Sequence, residues 1–156
     1  MQSMLLTLLS TGFFILGAAV SPLAGAPDAC SLITKELVAQ FTPYDKNVLD
    51  LVMRVPPTAD QVGRSGSACT YGGITLQVDP FPWATIEKQR RQNWQRVEGL
   101  GDGAYFRDND GRWGELFAKA GSRVLTIQMS VPTGRTAMSI QPNLIGLAKA
   151  LLSNLK

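Results

Sequence analysis

The longest apolar run of the chain lies near its amino terminus. Leu5 to Val20 is interrupted only by small residues, namely Thr7, Ser10, Thr11 and Gly12. The small-residue segment from Ser21 to Ala26 follows, and residues 1–26 carry no charged side chain. An apolar stretch followed by an Ala-x-Ala pattern predicts a secretory signal peptide over 1–26. An uncleaved membrane anchor is the alternative, because the run is near the lower length limit for a membrane-spanning helix.

Polar and apolar positions in residues 27–67 predict one short helix and a loop. Residues 35–41 place apolar side chains on one helical face, after the candidate caps Ser31 and Thr34. The apolar stretch 48–55 contains interspersed charges and fits either a strand or a helical turn. Residues 56–67 are rich in Pro, Gly, Ser and polar side chains, which predicts a loop.

The centre of the chain changes from a period of two to a polar stretch. Residues 69–79 alternate between apolar and polar side chains, which predicts one strand with a buried face. Residues 85–96 predict a polar helix capped by Thr85, with few apolar side chains to hold it in place.

The last part of the chain predicts a meander and a closing helix. Residues 104–107, 112–119 and 122–131 read as three strands joined by short turns, which requires antiparallel pairing. A broad apolar stripe over 144–155 predicts a helix that packs on this sheet, with Pro142 near its first turn. The predicted fold class is therefore α+β, with helices packed on one face of an antiparallel meander sheet.

Composition narrows the class of protein. Residues 27–156 suffice for a single exported domain. The net charge of +3 is too small to predict a nucleic-acid partner. No histidine is present, so the commonest general base and metal ligand is missing. The two cysteines, Cys30 and Cys69, predict one disulfide because exported proteins fold under oxidising conditions.

A cluster of basic and aromatic residues is the candidate binding patch. Its members are Trp83, Lys88, Arg90, Arg91, Trp94 and Arg96. Such a patch could bind an anionic glycan, a lipid headgroup or an acidic protein. The alternative is a solvated helix face whose tryptophans pack under the sheet, and this alternative is favoured because charge runs are usually solvated.

Other motifs predict structure more than chemistry. The segment 99–104 matches a dinucleotide-loop pattern, but a polar stretch precedes it and a strand follows, so a turn is expected in which Asp102 binds backbone amides. The segment 108–111 lacks the spaced ligands of a calcium loop and predicts a hairpin turn. No serine has a histidine partner, and nothing in the spacing of Asp102, Asp108, Asp110 and Glu115 selects an acid and a base. No catalytic residue, metal site or cofactor is predicted.

Two segments resemble a diffuse group of small exported bacterial proteins of unknown function, several of them lipoproteins. Residues 30–34 read Cys-Ser-Leu-Ile-Thr, and residues 99–105 read Gly-Leu-Gly-Asp-Gly-Ala-Tyr. The resemblance implies a location in the bacterial envelope and pairing of the two cysteines, and it brings no activity. This chain differs from the lipoprotein members because a lipidated cysteine is preceded by small residues, whereas Asp28 lies in that position before Cys30.

Together these features predict an exported, non-enzymatic binding protein, periplasmic or secreted. One version is an inhibitor or immunity protein against a periplasmic hydrolase or toxin, because a rigid disulfide-closed domain loses little entropy on binding. The alternative is a protein that binds a small ligand or an anionic glycan or lipid. A carboxylate-only enzyme is the least favoured. No membrane-spanning segment is expected after cleavage of the signal.

Overall fold

A computed structural model describes residues 26–63 and 66–155. The predicted signal peptide lies outside the described residues except for Ala26, and it stays a prediction. Within the described part of the chain, no helix has the length and apolar character needed to cross a membrane.

The described residues form five helices and seven strands. In chain order they are α1 (Ala29–Leu32), α2 (Lys35–Phe41), α3 (Lys46–Val52), β1 (Thr58–Val62), β2 (Gly66–Tyr71), β3 (Ile74–Val78), α4 (Trp83–Gln89), β4 (Gln95–Arg96), β5 (Gly103–Asn109), β6 (Trp113–Ala120), β7 (Arg123–Ser130) and α5 (Ala137–Asn154).

Side-chain caps begin the helices of the first half. The helix predicted over 35–41 is confirmed as α2, and Thr34 caps it by accepting a hydrogen bond from the backbone N–H of Leu37 at 3.3 Å. The backbone N–H of Glu36 lowers the pKa of its own carboxyl, and the Thr34 side chain adds to this effect. The ambiguous stretch 48–55 is helical as far as Val52, because Asp45 caps α3 through the backbone N–H of Val48.

Two predictions in the centre of the chain are wrong. The loop predicted over 56–67 contains β1 and the start of β2; β1 is an edge strand exposed on both faces, so it shows no alternation. The single strand predicted over 69–79 is a hairpin of β2 and β3. Gly72 and Gly73, with φ of 57° and 77°, provide its two-residue turn.

The polar helix predicted over 85–96 is also wrong in its bounds. It begins earlier, at Trp83 after Pro82, and ends at Gln89. Arg90 leaves the helical conformation, with ψ of 129°. The chain then turns, and Trp94 packs against the sheet, where it is buried.

The predicted fold class is confirmed. The seven strands form one antiparallel sheet in the order β1-β2-β3-β7-β6-β5-β4, and β5, β6 and β7 are the predicted meander. The closing helix is confirmed as α5. Pro142 lies inside α5, beyond the first turn, so the carbonyl of Met138 lacks the helical N–H donor that it would normally bind.

The two faces of the sheet carry different layers. We call the face covered by α5 the first face; it holds the main core, whose floor is formed by apolar side chains such as Leu76, Leu116 and Ile127. Because strand side chains alternate, the intervening residues point to the opposite side, which we call the second face. Among the described helices, α4 packs there, through Trp83 and Ile86.

The predicted disulfide is confirmed. Cys30 in α1 is bonded to Cys69 in β2, across a sequence separation of 39 residues. A second link lies beside it, because the hydroxyl of Ser67 accepts from the N–H of Ala29 at 3.0 Å and donates to the carbonyl of Pro27 at 2.5 Å. Residues 27–30 are thereby fixed to β2.

Candidate binding surface on the second face of the sheet

An aromatic cluster covers one end of the second face. Its buried members are Ile86, Trp94, Tyr105, Phe117 and Val124, with Phe81 and Trp83 packed against them. The rings of Trp94 and Phe117 are stacked with centroids 4.8 Å apart, and those of Trp83 and Tyr105 lie 5.7 Å apart. Stacking of this kind adds to simple burial, so the cluster forms a rigid layer.

In the predicted basic and aromatic patch, the two tryptophans are buried or half-buried, whereas the four basic side chains are exposed. Trp94 is only 9% exposed and packs under the chain, as in the favoured alternative, whereas Trp83 is half-buried. Four basic side chains stand exposed at this end: Lys88, Arg90, Arg91 and Arg96.

Tyr105 brings two of these cations together. The guanidinium of Arg90 lies 5.0 Å from the centre of the Tyr105 ring. Arg96 is the cross-strand partner of Tyr105 and is paired with Glu98 at 2.9 Å. The structure therefore gathers Trp83, Arg90 and Arg96 around one aromatic ring.

A continuous row of polar side chains crosses the rest of the second face. Each member is the cross-strand partner of the next, and the row consists of Arg107, Glu115, Gln128, Thr75, Thr70 and Thr58. We call it the polar row. It runs over six of the seven strands, from β5 to β1, and no described helix lies over its centre.

Hydrogen bonds fix the members of the polar row in place. Glu115 accepts from Nε of Arg107 through one carboxylate oxygen and from the amide of Gln128 through the other, at 2.9 Å. The hydroxyls of Thr70 and Thr75 are 3.0 Å apart. Side chains held by their neighbours lose little further entropy when a partner binds.

The charges at the aromatic end of the row are paired with each other and packed on aromatic rings. The guanidinium of Arg107 lies 5.0 Å from the centre of the Trp94 ring and 5.3 Å from that of Phe117. The side chain of Glu115 is only 4% exposed, whereas that of Arg107 is 33% exposed. Arg107 thus neutralises a buried carboxylate while part of its planar donor group still faces solvent.

A small cavity adjoins the middle of the polar row. It has a volume of about 180 Å³ and is lined by Gly73, Thr75, Trp113, Gln128 and Ser130. The indole Nε1 of Trp113 is buried and has no hydrogen-bond partner among the described residues. A buried donor without an acceptor lowers the free energy of unfolding by about 1–3 kcal/mol. Such donors are therefore uncommon unless water or another molecule supplies the acceptor.

A larger cavity of about 650 Å³ lies at the opposite end of the domain, beside the carboxyl end of α5. Leu100, Leu152 and Leu155 contribute apolar surface, and Arg123 and Lys149 contribute cations. Arg123 is already bonded to Asp79 at 2.6 Å. The carboxyl end of α5 also opposes an anionic ligand here, because the helix dipole is negative at that end.

The acidic residues considered as catalytic pairs serve mainly as structural groups. Asp102 accepts from the N–H of Gly121 at 2.6 Å, which confirms that the segment 99–104 is a turn, and Asp108 accepts from the N–H of Gly111 at 2.7 Å in the predicted hairpin. Asp110 has φ of 54° in the same turn. In the described part of the chain, no three acidic, cysteine or histidine side chains could hold a metal together.

Sequence reasoning missed the residues that define this surface. Arg107, Gln128 and Thr75 lie far apart in the chain and meet only through the strand register. The signal that could have found them is the polar half of each alternating strand, since a polar face on a sheet marks the side away from the main core.

Comparisons of the chain with protein-family models, with curated proteins and with solved structures find no match. The resemblance to small exported bacterial proteins therefore stays a prediction. Function is inferred from the geometry of the described residues.

Proposed function

We propose that this chain is an exported, non-enzymatic binding protein of the bacterial cell envelope, and that a partner protein docks on the second face of the sheet. The observation that carries the proposal is the polar row, an open and hydrogen-bonded surface that spans most of the sheet. The confirmed disulfide is consistent with the oxidising conditions met by exported proteins.

Rigidity supports docking of a protein on this surface. The polar row rests on a sheet whose first face is closed by α5, and α1 is tied to the sheet by the disulfide. A surface that is already ordered retains more of its contact energy as affinity. The partially exposed guanidinium of Arg107 and the ring of Trp113 are the side-chain types most often found at the centres of interfaces.

The more specific version is an inhibitor or immunity protein that occludes a periplasmic hydrolase or toxin. The chain has no histidine, and both cysteines are oxidised, so it contains neither a Ser–His nor a Cys–His pair. A catalytically inert, rigid surface suits a protein whose task is to block another.

Affinity capture with matched surface variants tests this proposal. The full-length exported protein is used as bait against envelope extract, in parallel with Thr70→Arg and Ala39→Arg. Thr70 is exposed in the polar row, whereas Ala39 is exposed on α2 away from the second face. We expect a partner that binds the wild type and Ala39→Arg equally well. Its affinity for Thr70→Arg should be lower by at least about tenfold, because a long charged side chain obstructs docking. Equal capture by both variants would refute docking on this face.

The second candidate function is binding of an anionic glycan or lipid at the aromatic end of the second face. The observation that favours it is the convergence of Arg90, Arg96 and Trp83 around Tyr105. Exposed Lys88 and Arg91 raise the local positive charge further.

Sedimentation with vesicles separates this candidate from the first. The double variant Arg90→Ala/Arg91→Ala is compared with Arg112→Ala/Arg135→Ala, which removes the same charge from exposed positions outside the patch. Anionic phosphatidylglycerol vesicles at low salt are expected to release the first variant and retain the second. An equal loss of vesicle binding in both double variants would show that binding depends on net charge alone, and it would rule out the patch as a specific site.

A further inference from the structure

The small cavity beside the polar row is lined by uncharged residues, although the domain carries many charged side chains. None of its five lining residues, Gly73, Thr75, Trp113, Gln128 and Ser130, is ionisable. The nearest carboxylate along the row, Glu115, is neutralised by Arg107. The electrostatics therefore favour a neutral ligand over an anion.

The lining combines an aromatic wall with hydroxyl and amide groups. Trp113 is half-buried, so part of its ring is accessible from the cavity. The hydroxyl of Ser130 makes no hydrogen bond within the described residues, and Gln128 uses its amide nitrogen on Glu115, which leaves its carbonyl oxygen as an acceptor. An apolar ring face beside neutral donors and acceptors matches the alternating C–H and O–H surface of a sugar ring.

The volume limits the ligand to one ring. About 180 Å³ is below the roughly 300–1,000 Å³ of sites that enclose drug-sized molecules. A peptide segment would need a longer groove, whereas a single pyranose ring has the appropriate size.

We infer that the cavity of Gly73, Thr75, Trp113, Gln128 and Ser130 binds one ring of a neutral saccharide. Trp113 supplies the apolar wall, and Ser130, Thr75 and Gln128 bond the ring hydroxyls. The cavity shares Thr75 and Gln128 with the polar row, but the inference rests on the lining of the cavity and not on the docking of a protein. The sugar could be free or could be one unit of an envelope glycan laid along the polar row.

Indole N–H signals in ¹H–¹⁵N spectra of the full-length exported protein test the inference. The chain has three tryptophans, and Trp113→Phe identifies the signal of Trp113 by its loss. Glucose and N-acetylglucosamine, each titrated to tens of millimolar, are expected to shift the Trp113 signal saturably. Trp83 and Trp94 lie in the aromatic cluster, and their signals are expected to stay in place. The inference is overturned if Trp113 does not respond to either sugar or if all three signals move together.

The charge of the ligand and its source are tested with two further probes. Glucuronic acid is expected to bind no more tightly than glucose, and a clear preference for the acid would overturn the neutral assignment. A β-1,4-linked tetramer of N-acetylglucosamine distinguishes a chain from a free sugar. If it binds at least about tenfold more tightly and also shifts the backbone signals of Thr70 and Thr58, the ligand is a glycan chain; equal affinity indicates the free sugar.

Hydroxyl deletions complete the test because they change little else. Ser130→Ala and Thr75→Val are each expected to weaken binding of N-acetylglucosamine about 3- to 10-fold, the effect of one lost hydrogen bond. Ser122→Ala makes the same change in the exposed turn between β6 and β7, outside the polar row and the cavity, and should leave the affinity for this monosaccharide unaltered. An unchanged Trp94 signal in each variant shows that the fold is intact. Affinity that is insensitive to both Ser130→Ala and Thr75→Val would overturn the site.

Discussion

At the scale of single residues, Glu115 is the side chain in the described part of the chain that depends most on its hydrogen-bond partners. It is the only carboxylate that is buried there, and it is bonded to Arg107 and Gln128. Burying a charge is expensive unless partners satisfy it. The Arg107–Glu115 pair therefore adds little to the free energy of unfolding, whereas removal of one partner leaves a buried charge and lowers that free energy.

Removal of Arg107 tests this asymmetry. We expect Arg107→Met to lower the free energy of unfolding by about 2 kcal/mol, because Glu115 is left buried without its cation. The figure is below that of a fully buried pair, since water can reach the exposed part of the site. Urea denaturation of the variant, compared with Arg107→Met/Glu115→Gln, measures the effect. The double variant should regain most of the loss; if it is as unstable as the single variant, packing of the arginine on Trp94 is the dominant contribution.

At the scale of elements, α2 and α5 meet at a position without a side chain. A Cβ on Gly146 would come within 2.5 Å of the Phe41 ring. Glycine inside a helix normally costs about 1 kcal/mol relative to alanine, so its presence in α5 indicates a close approach.

Gly146→Ala is therefore expected to be destabilising, by about 1 kcal/mol, although alanine is the better helix former. The physical reason is displacement of Phe41, which packs on the main core. Thermal unfolding of Gly146→Ala, Phe41→Ala and the double variant checks this. In the Phe41→Ala background the same glycine substitution should become neutral or stabilising, and a loss of equal size in both backgrounds would contradict the explanation.

The elements that the sequence predicts correctly are those whose burial leaves a regular trace. The meander strands are buried through their middle and joined by short turns, and α5 buries an apolar stripe. β1 has no such trace because both of its faces are exposed at the sheet edge. The hairpin at Gly72 and Gly73 was missed because the alternation on either side hid a two-residue turn.

At the scale of the whole molecule, the binding surface is a product of topology. The disulfide involves the two cysteines of the chain, so composition is enough to predict it. Composition does not predict the polar row, because β3 pairs with β7 across a crossover, and only this pairing places Thr75 beside Gln128. A sequence shows that each strand has a polar side, but it does not show which strands are neighbours.

The disulfide affects the stability of the entire domain. Closing a loop with a separation of 39 residues removes entropy from the unfolded chain worth about 4 kcal/mol. We expect Cys30→Ala/Cys69→Ala to lose about this much in urea denaturation, and the wild type to lose a similar amount on reduction. Intact mass of the exported protein under non-reducing conditions, two hydrogens below the reduced mass, provides the control. A loss below about 1 kcal/mol would show that Ser67 and core packing alone secure α1.

The link made by Ser67 has a consequence for how the molecule can be presented. It holds Pro27 and Ala29 against β2, and Ala26 packs on the main core of the first face. An attachment at Ala26, whether a fluorophore, a resin or a lipid tether, therefore sits on the side of the first face, opposite the polar row. Immobilisation there leaves the polar row free to be captured or labelled.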